Sequence, residues 1–114
     1  MSNNMRKLTA EERDVVTEMI ALLRKGWCIG SFAVDGKGRT VDINSPHACA
    51  WCTIGAADRA CTPYPHRNKL EPTLIAKIET ALDVYCLAAW NDRQPDADAV
   101  IQALTGILEA DSAK

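Results

Sequence analysis

The sequence predicts an α+β fold, mostly α, in the order α-β-β-α-α-α, with four helices packed around one β-hairpin. Three observations lead there. Apolar residues recur at helical spacing after residue 9, after residue 72 and after residue 96. Two short apolar runs flank the Gly-rich turn Asp35-Gly36-Lys37-Gly38. The length of 114 residues suits one domain.

The first helix is expected over about 10–25. Thr9 with Glu12 forms a capping box, in which each side chain satisfies the other's backbone N–H. Val15, Val16, Met19, Ile20, Leu22 and Leu23 follow on one face. Arg24 and Lys25 suit the negative end of the helix dipole, and Gly26 offers a left-handed stop. Trp27 to Val34 reads as a strand, and Arg39 to Ile43 returns to pair with it. Ser45 as cap and Pro46 in the first turn predict a second helix, to about Cys61. Its residues Ala48, Ala50, Gly55, Ala56, Ala57 and Ala60 are small, so another backbone can approach closely. Gly30 in the strand permits the same. The hairpin is therefore expected to lie across the small face of this helix.

Thr62 to Lys69, with Pro63 and Pro65, reads as a loop. A third helix is expected over about 72–89, with Ile75, Ile78, Leu82, Tyr85 and Ala89 on one face. Trp90 to Pro95 reads as a second loop. Asp96 then caps a last helix with Val100, Ile101, Leu104, Ile107 and Leu108 as its stripe. The expected organisation is a disordered N-terminus at 1–8, one globular domain at 9–110 and a frayed end at 111–114.

Composition excludes several classes. The chain is 47% hydrophobic, which rules out wholesale disorder. No apolar run reaches the ~18 residues of a membrane span, and no signal-peptide pattern follows Arg6 and Lys7. A cytoplasmic, non-membrane setting is expected. Residues 1–77 carry eleven basic and eight acidic side chains, net +3, while residues 78–114 carry two and seven, net −5. The basic residues are scattered, which argues against nucleic acid. The opposed halves favour self-association.

Five cysteines stand out: Cys28, Cys49, Cys52, Cys61 and Cys86. In a reducing compartment they are buried small apolar residues, metal ligands or one reactive thiol. Cys49, Cys52, Cys61 and His66 would supply four zinc ligands on paper. A lone CxxC inside a predicted helix speaks against that site. Cys49 or Cys52 could alternatively be a nucleophile near a helix N-terminus, where the dipole lowers a thiol's pKa. A histidine must then accept the proton, and neither His47 nor His66 is fixed beside them by spacing. Trp27, Trp51 and Trp90 read as core residues, or as lining of a shared groove. Asn91 and Asp92 can cap neighbouring backbone or hold a polar ligand.

At Gly26-Trp27-Cys28-Ile29-Gly30-Ser31, Trp51-Cys52-Thr53-Ile54-Gly55-Ala56 and Trp90-Asn91-Asp92 the chain resembles a small bacterial and phage domain family of unknown function. Its pattern is G-W-x-x-G-A, then W-C-x-x-G-A on a helix, then W-N-D before a last helix. Ser31 departs from the pattern's alanine. The resemblance covers about residues 9–110 and implies a domain without assigning a mechanism. It carries over to Gly26, Trp27, Gly30, Trp51, Cys52, Gly55, Ala56, Trp90, Asn91 and Asp92, so that among the cysteines only Cys52 is a motif residue.

The resulting expectation is a small cytoplasmic accessory or interaction protein with no catalytic residue and no cofactor. Its binding surface would involve Trp27, Cys52, Trp90, Asn91 and Asp92. A protein partner is expected at the Trp90 loop or the hairpin edge, or a homodimer through that edge. The alternatives are a small-ligand-binding or thiol-dependent enzyme using Cys52 or Cys49, and a structural zinc protein.

Overall fold

The computed structural model describes residues 7–112. Of the disorder expected over residues 1–8 and the fraying expected over 111–114, residues 1–6 and 113–114 lie outside that range, whereas Leu8 is buried and the last helix runs on to Ser112. The fold is mostly helical, with two short antiparallel strands between the first helix and the rest. The elements are α1 (Ala10–Lys25), β1 (Ala33–Val34), β2 (Ala50–Trp51), α2 (Thr53–Cys61), α3 (Arg67–Leu82), α4 (Leu87–Asp92) and α5 (Ala97–Ser112). The class and order are those expected, with one more helix among the described residues than the four anticipated.

α1 forms as the capping box dictates. Thr9 Oγ1 accepts from the Glu12 amide at 3.1 Å, and Glu12 Oε1 accepts from the Thr9 amide at 2.8 Å. Its apolar face from Val15 to Leu23 is buried against α2 and α5. The stop differs from expectation. Gly26 is extended, at φ 177°. It is small for another reason: a Cβ there would run into the Cys49 carbonyl oxygen.

The strand expected over 27–34 is interrupted. Gly30 takes φ +79° with open space around it, so its role is handedness rather than close approach. Trp27 bridges Trp51 in parallel, and the chain then swings outward before re-entering the sheet at Ala33. The hairpin turn forms, with the Asp35 amide donating to the Arg39 carbonyl at 2.9 Å. The returning run makes only a bridge, Val34 to Thr40. The main partner of β1 is β2, in the register Ala33↔Trp51 and Val34↔Ala50.

That pairing overturns the helix start expected at Ser45-Pro46. Ser45 Oγ accepts from the His47 amide at 3.0 Å, and the Ala48 amide donates to the Ser45 carbonyl. The cap residue thus closes a turn instead of opening a helix. Residues 50–51 are then drawn into the sheet, and α2 begins at Thr53. Its N-cap is Cys52, whose Sγ accepts from the Gly55 amide at 3.3 Å.

α2 is the most buried helix, with Thr53, Gly55, Ala56, Ala57, Ala60 and Cys61 all in the core. A Cβ at Gly55 would lie 2.0 Å from the Phe32 carbonyl oxygen, far inside van der Waals contact. The strand therefore crosses the small face of this helix with backbone touching backbone. Trp51 is buried on the other side. Its indole N–H and the Arg59 guanidinium both donate to the Ile43 carbonyl, at 3.1 and 3.0 Å. The guanidinium also stacks 5.3 Å above the indole.

The helix expected over 72–89 is two helices. α3 starts earlier and stops at Asp83, which is left-handed at φ 58°. Tyr85, expected on a buried face, is 103% exposed as a result. α4 follows at once, its Leu87 amide held by Glu79 Oε2 at 2.9 Å. Trp90, Asn91 and Asp92 therefore lie in a helix, where a loop was expected. α5 begins as foreseen, with Asp96 Oδ1 accepting from the Ala99 amide at 2.9 Å.

Two polar ties close the fold. Lys77 Nζ meets Glu12 Oε1 at 2.7 Å with both side chains largely buried, joining α3 to α1. Asp111 accepts from the Leu8 amide at 3.1 Å and from Arg13, joining α5 to α1. Burial opposes ionisation of Asp111, but these donors and Lys7 outweigh it and hold its carboxyl below the usual range. Among the described residues, no helix is long and apolar enough to cross a membrane.

Gly55→Ala should cost about 3 kcal/mol, at the upper end of the effect of overpacking. The strand cannot withdraw without breaking its pairing with β2. Gly106→Ala, with open space at the Cβ, should leave stability unchanged or slightly raised. Urea midpoints of the two variants measure this contrast.

Candidate functional site

The three motif-bearing segments meet at Asn91. It is 0% exposed, and the second half of α4 places its side chain between the α2 N-terminus and the chain leaving α1. Its Oδ1 accepts from Trp27 Nε1 at 2.8 Å, from the Thr53 amide at 2.9 Å and from Thr53 Oγ1 at 2.7 Å. Its Nδ2 donates to the Cys28 carbonyl at 3.2 Å and to Asp92 Oδ1 at 3.1 Å. The Thr53 amide is one of the donors that the first turn of α2 leaves without an intrahelical partner. Asp92 extends the network outward, its Oδ1 lying 3.4 Å from the Gly30 amide.

Of the five residues expected to bind, Trp27, Asn91 and Asp92 belong to this network directly. Cys52 adjoins it as the cap residue before Thr53 and is buried. Trp90 is half-buried against the core, and its carbonyl accepts from Gln94 Nε2. The amide of Asn91 has its acceptor filled threefold and both donor hydrogens engaged. Its chemistry is spent on the fold.

Three of the five thiols, Cys28, Cys52 and Cys61, are likewise unsuited to attack. Burial pushes the Cys28 thiol up to about 11, with Cys52 and Asp92 adding to it. Burial raises Cys52 as well, against the opposing pull of the Gly55 and Ile54 amides. The expected lowering by the helix N-terminus is therefore outweighed by desolvation. Burial, then Glu71 and Asp58, push Cys61 to about 11.

Neither histidine is bonded to a thiol among the described residues. His66 Nε2 lies 2.7 Å from Glu11 Oε1, and His47 borders a shallow cleft formed by the 35–41 turn. The four ligands of the zinc alternative do not meet. Cys52 and Cys61 flank the length of α2, about 13 Å apart at 1.5 Å per residue. Cys49 is exposed on the sheet side. Among the described residues, no group of three His, Cys, Asp or Glu side chains is placed to hold a metal ion. A second cleft, between α1 and α5, is lined by Leu23, Arg24, Asp98 and Ile101 and has neither thiol nor histidine.

Two features escaped the sequence reading. Thr53, a non-motif letter between Cys52 and Gly55, supplies two of the five bonds to Asn91. A hydroxyl residue at a helix start was its visible signal. Ile29 and Phe32, at 53% and 58% exposure, stand on the loop that Asn91 and Asp92 anchor. Read as strand residues, they gave no sign of facing water.

A protein-family model described as "Family of unknown function (DUF6197)" matches residues 8–107. The chain belongs to this family. No curated protein and no solved structure matches it. The span matched by the family takes in all three tryptophan-bearing segments that meet at Asn91.

Asn91→Ala should lose about 3 kcal/mol or more, because three buried donors go unpaired at once. Trp27→Phe, which removes a single donor from the network and keeps an aromatic ring, should lose about 1 kcal/mol. Denaturant unfolding of both variants tests the ranking. Alkylation followed by peptide mass spectrometry near neutral pH should label the exposed Cys49 and Cys86 first. Cys28, Cys52 and Cys61 should lag well behind. Early labelling of Cys52 would restore the nucleophile reading.

Proposed function

We propose that this member of the family is a small cytoplasmic accessory or interaction protein, one domain over residues 9–110, with no catalytic activity of its own. The observation that carries the reading is the loop 28–32. It presents Ile29 and Phe32 to solvent while its backbone is held from beneath by Asn91 and Asp92. Exposed apolar side chains on a rigid base cost little ordering entropy when they dock. Trp27 and Trp90 support that base, and Cys52 fixes the adjoining helix start. The raised thiols of Cys28, Cys52 and Cys61, and a fully engaged Asn91, support binding over catalysis. Five free cysteines suit a reducing compartment.

Self-association is the second form of the same reading. β1 is paired on both sides, by β2 and by Thr40. A second copy would therefore add at the outer edge of residues 40–41.

The test is the double variant Ile29→Asp/Phe32→Asp, compared with wild type in affinity capture from the native host and in sedimentation. Both side chains are exposed, so the variant should melt within a few degrees of wild type. It should lose a partner, or a second copy, that wild type retains. Identical capture and identical mass for the two proteins would overturn the reading.

A further inference from the structure

Cys28 and Cys52 come from separate motif segments, and the backbone sets them side by side. Trp27 and Trp51 form a parallel bridge. The Trp51 amide donates to the Gly26 carbonyl at 3.1 Å, and the Cys28 amide donates to the Trp51 carbonyl at 3.2 Å. Cys28 and Cys52 are the next pair along that register. Neighbouring strands hold paired α-carbons on the order of 5 Å apart, inside the span that a disulfide bridges. The loop after Cys28 returns to the same place. Cys28 Sγ donates to the Ser31 carbonyl at 3.4 Å, and the Cys52 amide donates to the next carbonyl, that of Phe32, at 3.1 Å. Asn91 fastens the pair further, with Nδ2 on the Cys28 carbonyl and Oδ1 on the Thr53 amide.

The other cysteines do not share this geometry. Cys49 is the CxxC partner in sequence, but the extended residues of β2 separate it from Cys52 by about 10 Å at strand rise. Cys61 sits at the far end of α2, and Cys86 is exposed before α4. All five thiols are free, so the fold described above is the reduced form.

We propose that Cys28 and Cys52 are a redox pair, oxidised to an internal disulfide by a low-molecular-weight disulfide such as oxidised glutathione, and that the bond resets loop 28–32. Cys28 is half-buried and Cys52 is buried, so Cys28 is the thiol that the reagent reaches. Its thiolate attacks one sulfur of the reagent. The reagent's S–S bond breaks, and the released half takes up the proton that Cys28 gave up. The Cys52 thiolate then attacks the Cys28 sulfur, and the second half leaves with the Cys52 proton. The two cysteines lose two electrons and two protons, and the reagent becomes two thiols. Burial raises both thiols, with Asp92 adding to it. The exchange is therefore slow, which suits a lasting change of redox state and not a catalytic turnover. Closing the bond takes both sulfurs out of their present contacts. Cys28 loses the S–H that it donates to Ser31, and the Cys52 sulfur turns from the Gly55 amide toward Cys28. Ile29 and Phe32 ride on the loop between these contacts. An effect on docking rests on the function proposed above, whereas the bond itself does not.

The experiment equilibrates the whole chain with oxidised glutathione at about pH 8, where exchange is quicker, and maps its peptides by fragmentation mass spectrometry. Wild type should show Cys28 joined to Cys52, lighter by two hydrogens and carrying no glutathione. Cys52→Ser keeps a side-chain cap for α2 and should instead hold glutathione on Cys28. Amide NMR of the oxidised wild type should show the signals of Ile29–Phe32 and Gly55 displaced and those of α5 unmoved. The proposal is overturned by stable glutathione on Cys28 of wild type, by a Cys49–Cys52 bond, or by Cys28 left unmodified once Cys49 and Cys86 have reacted. Unmoved loop signals in a protein that carries the bond would overturn the resetting of the loop.

Discussion

Asn91 lies wholly out of water and takes part in five hydrogen bonds with Trp27, Cys28, Thr53 and Asp92. A buried amide is costly unless every donor and acceptor is met. Meeting them here sets where the chain leaves α1, where α2 starts and how α4 is rotated. None of these segments is long enough to fix its own position. β1 and β2 have two residues each, and α4 has six. The Asn91 amide ties α4 to the segments that flank the sheet, at Trp27, Cys28 and Thr53, and the Ile29–Phe32 loop leaves from one of those anchored points.

The second constraint is backbone thickness. The sheet is wedged between the end of α1 and the start of α2, with the Cys49 and Phe32 carbonyls resting against Gly26 and Gly55. Interiors pack near crystal density, so the absence of two β-carbons decides how closely the layers approach. The alanines of α2 continue this thin face into the core. This explains why a helix so poor in large side chains is the most buried of the five. Its contribution is to admit neighbours, and the bulk comes from Val16, Met19, Leu22 and Leu23 of α1 and Leu74 and Ile78 of α3.

Much of this was legible in the residues. α1, with its capping box and apolar periodicity, and α5, with Asp96, were readable because their signals are local. The small face of α2 was readable as a contact surface. The roles of two glycines were read in reverse: Gly26 was given the left-handed turn and Gly30 the close approach. Either role permits a glycine, and only tertiary neighbours decide between them. Ser45-Pro46 opens a turn as readily as a helix, and pairing of residues 50–51 with β1 tipped the balance. The break at Asp83 was invisible because an aspartate ends α3 in a left-handed conformation usually taken by glycine. As for the site, the motif residues were found and their convergence was not. Five hydrogen bonds between residues up to 64 positions apart leave no periodicity to detect.

The tie between Leu8 and Asp111 spans 103 positions. It has a bearing on how the chain is born. On the ribosome α1 emerges well before the Asp111 carboxylate that holds its leading end and before the α5 face that covers part of its apolar stripe. Until then α1 is an amphipathic helix with one flank bare, of the kind that chaperones recognise. Completion of the native state is thus coupled to completion of synthesis up to α5, and a chain stopped short of that helix would be left with an exposed apolar stripe.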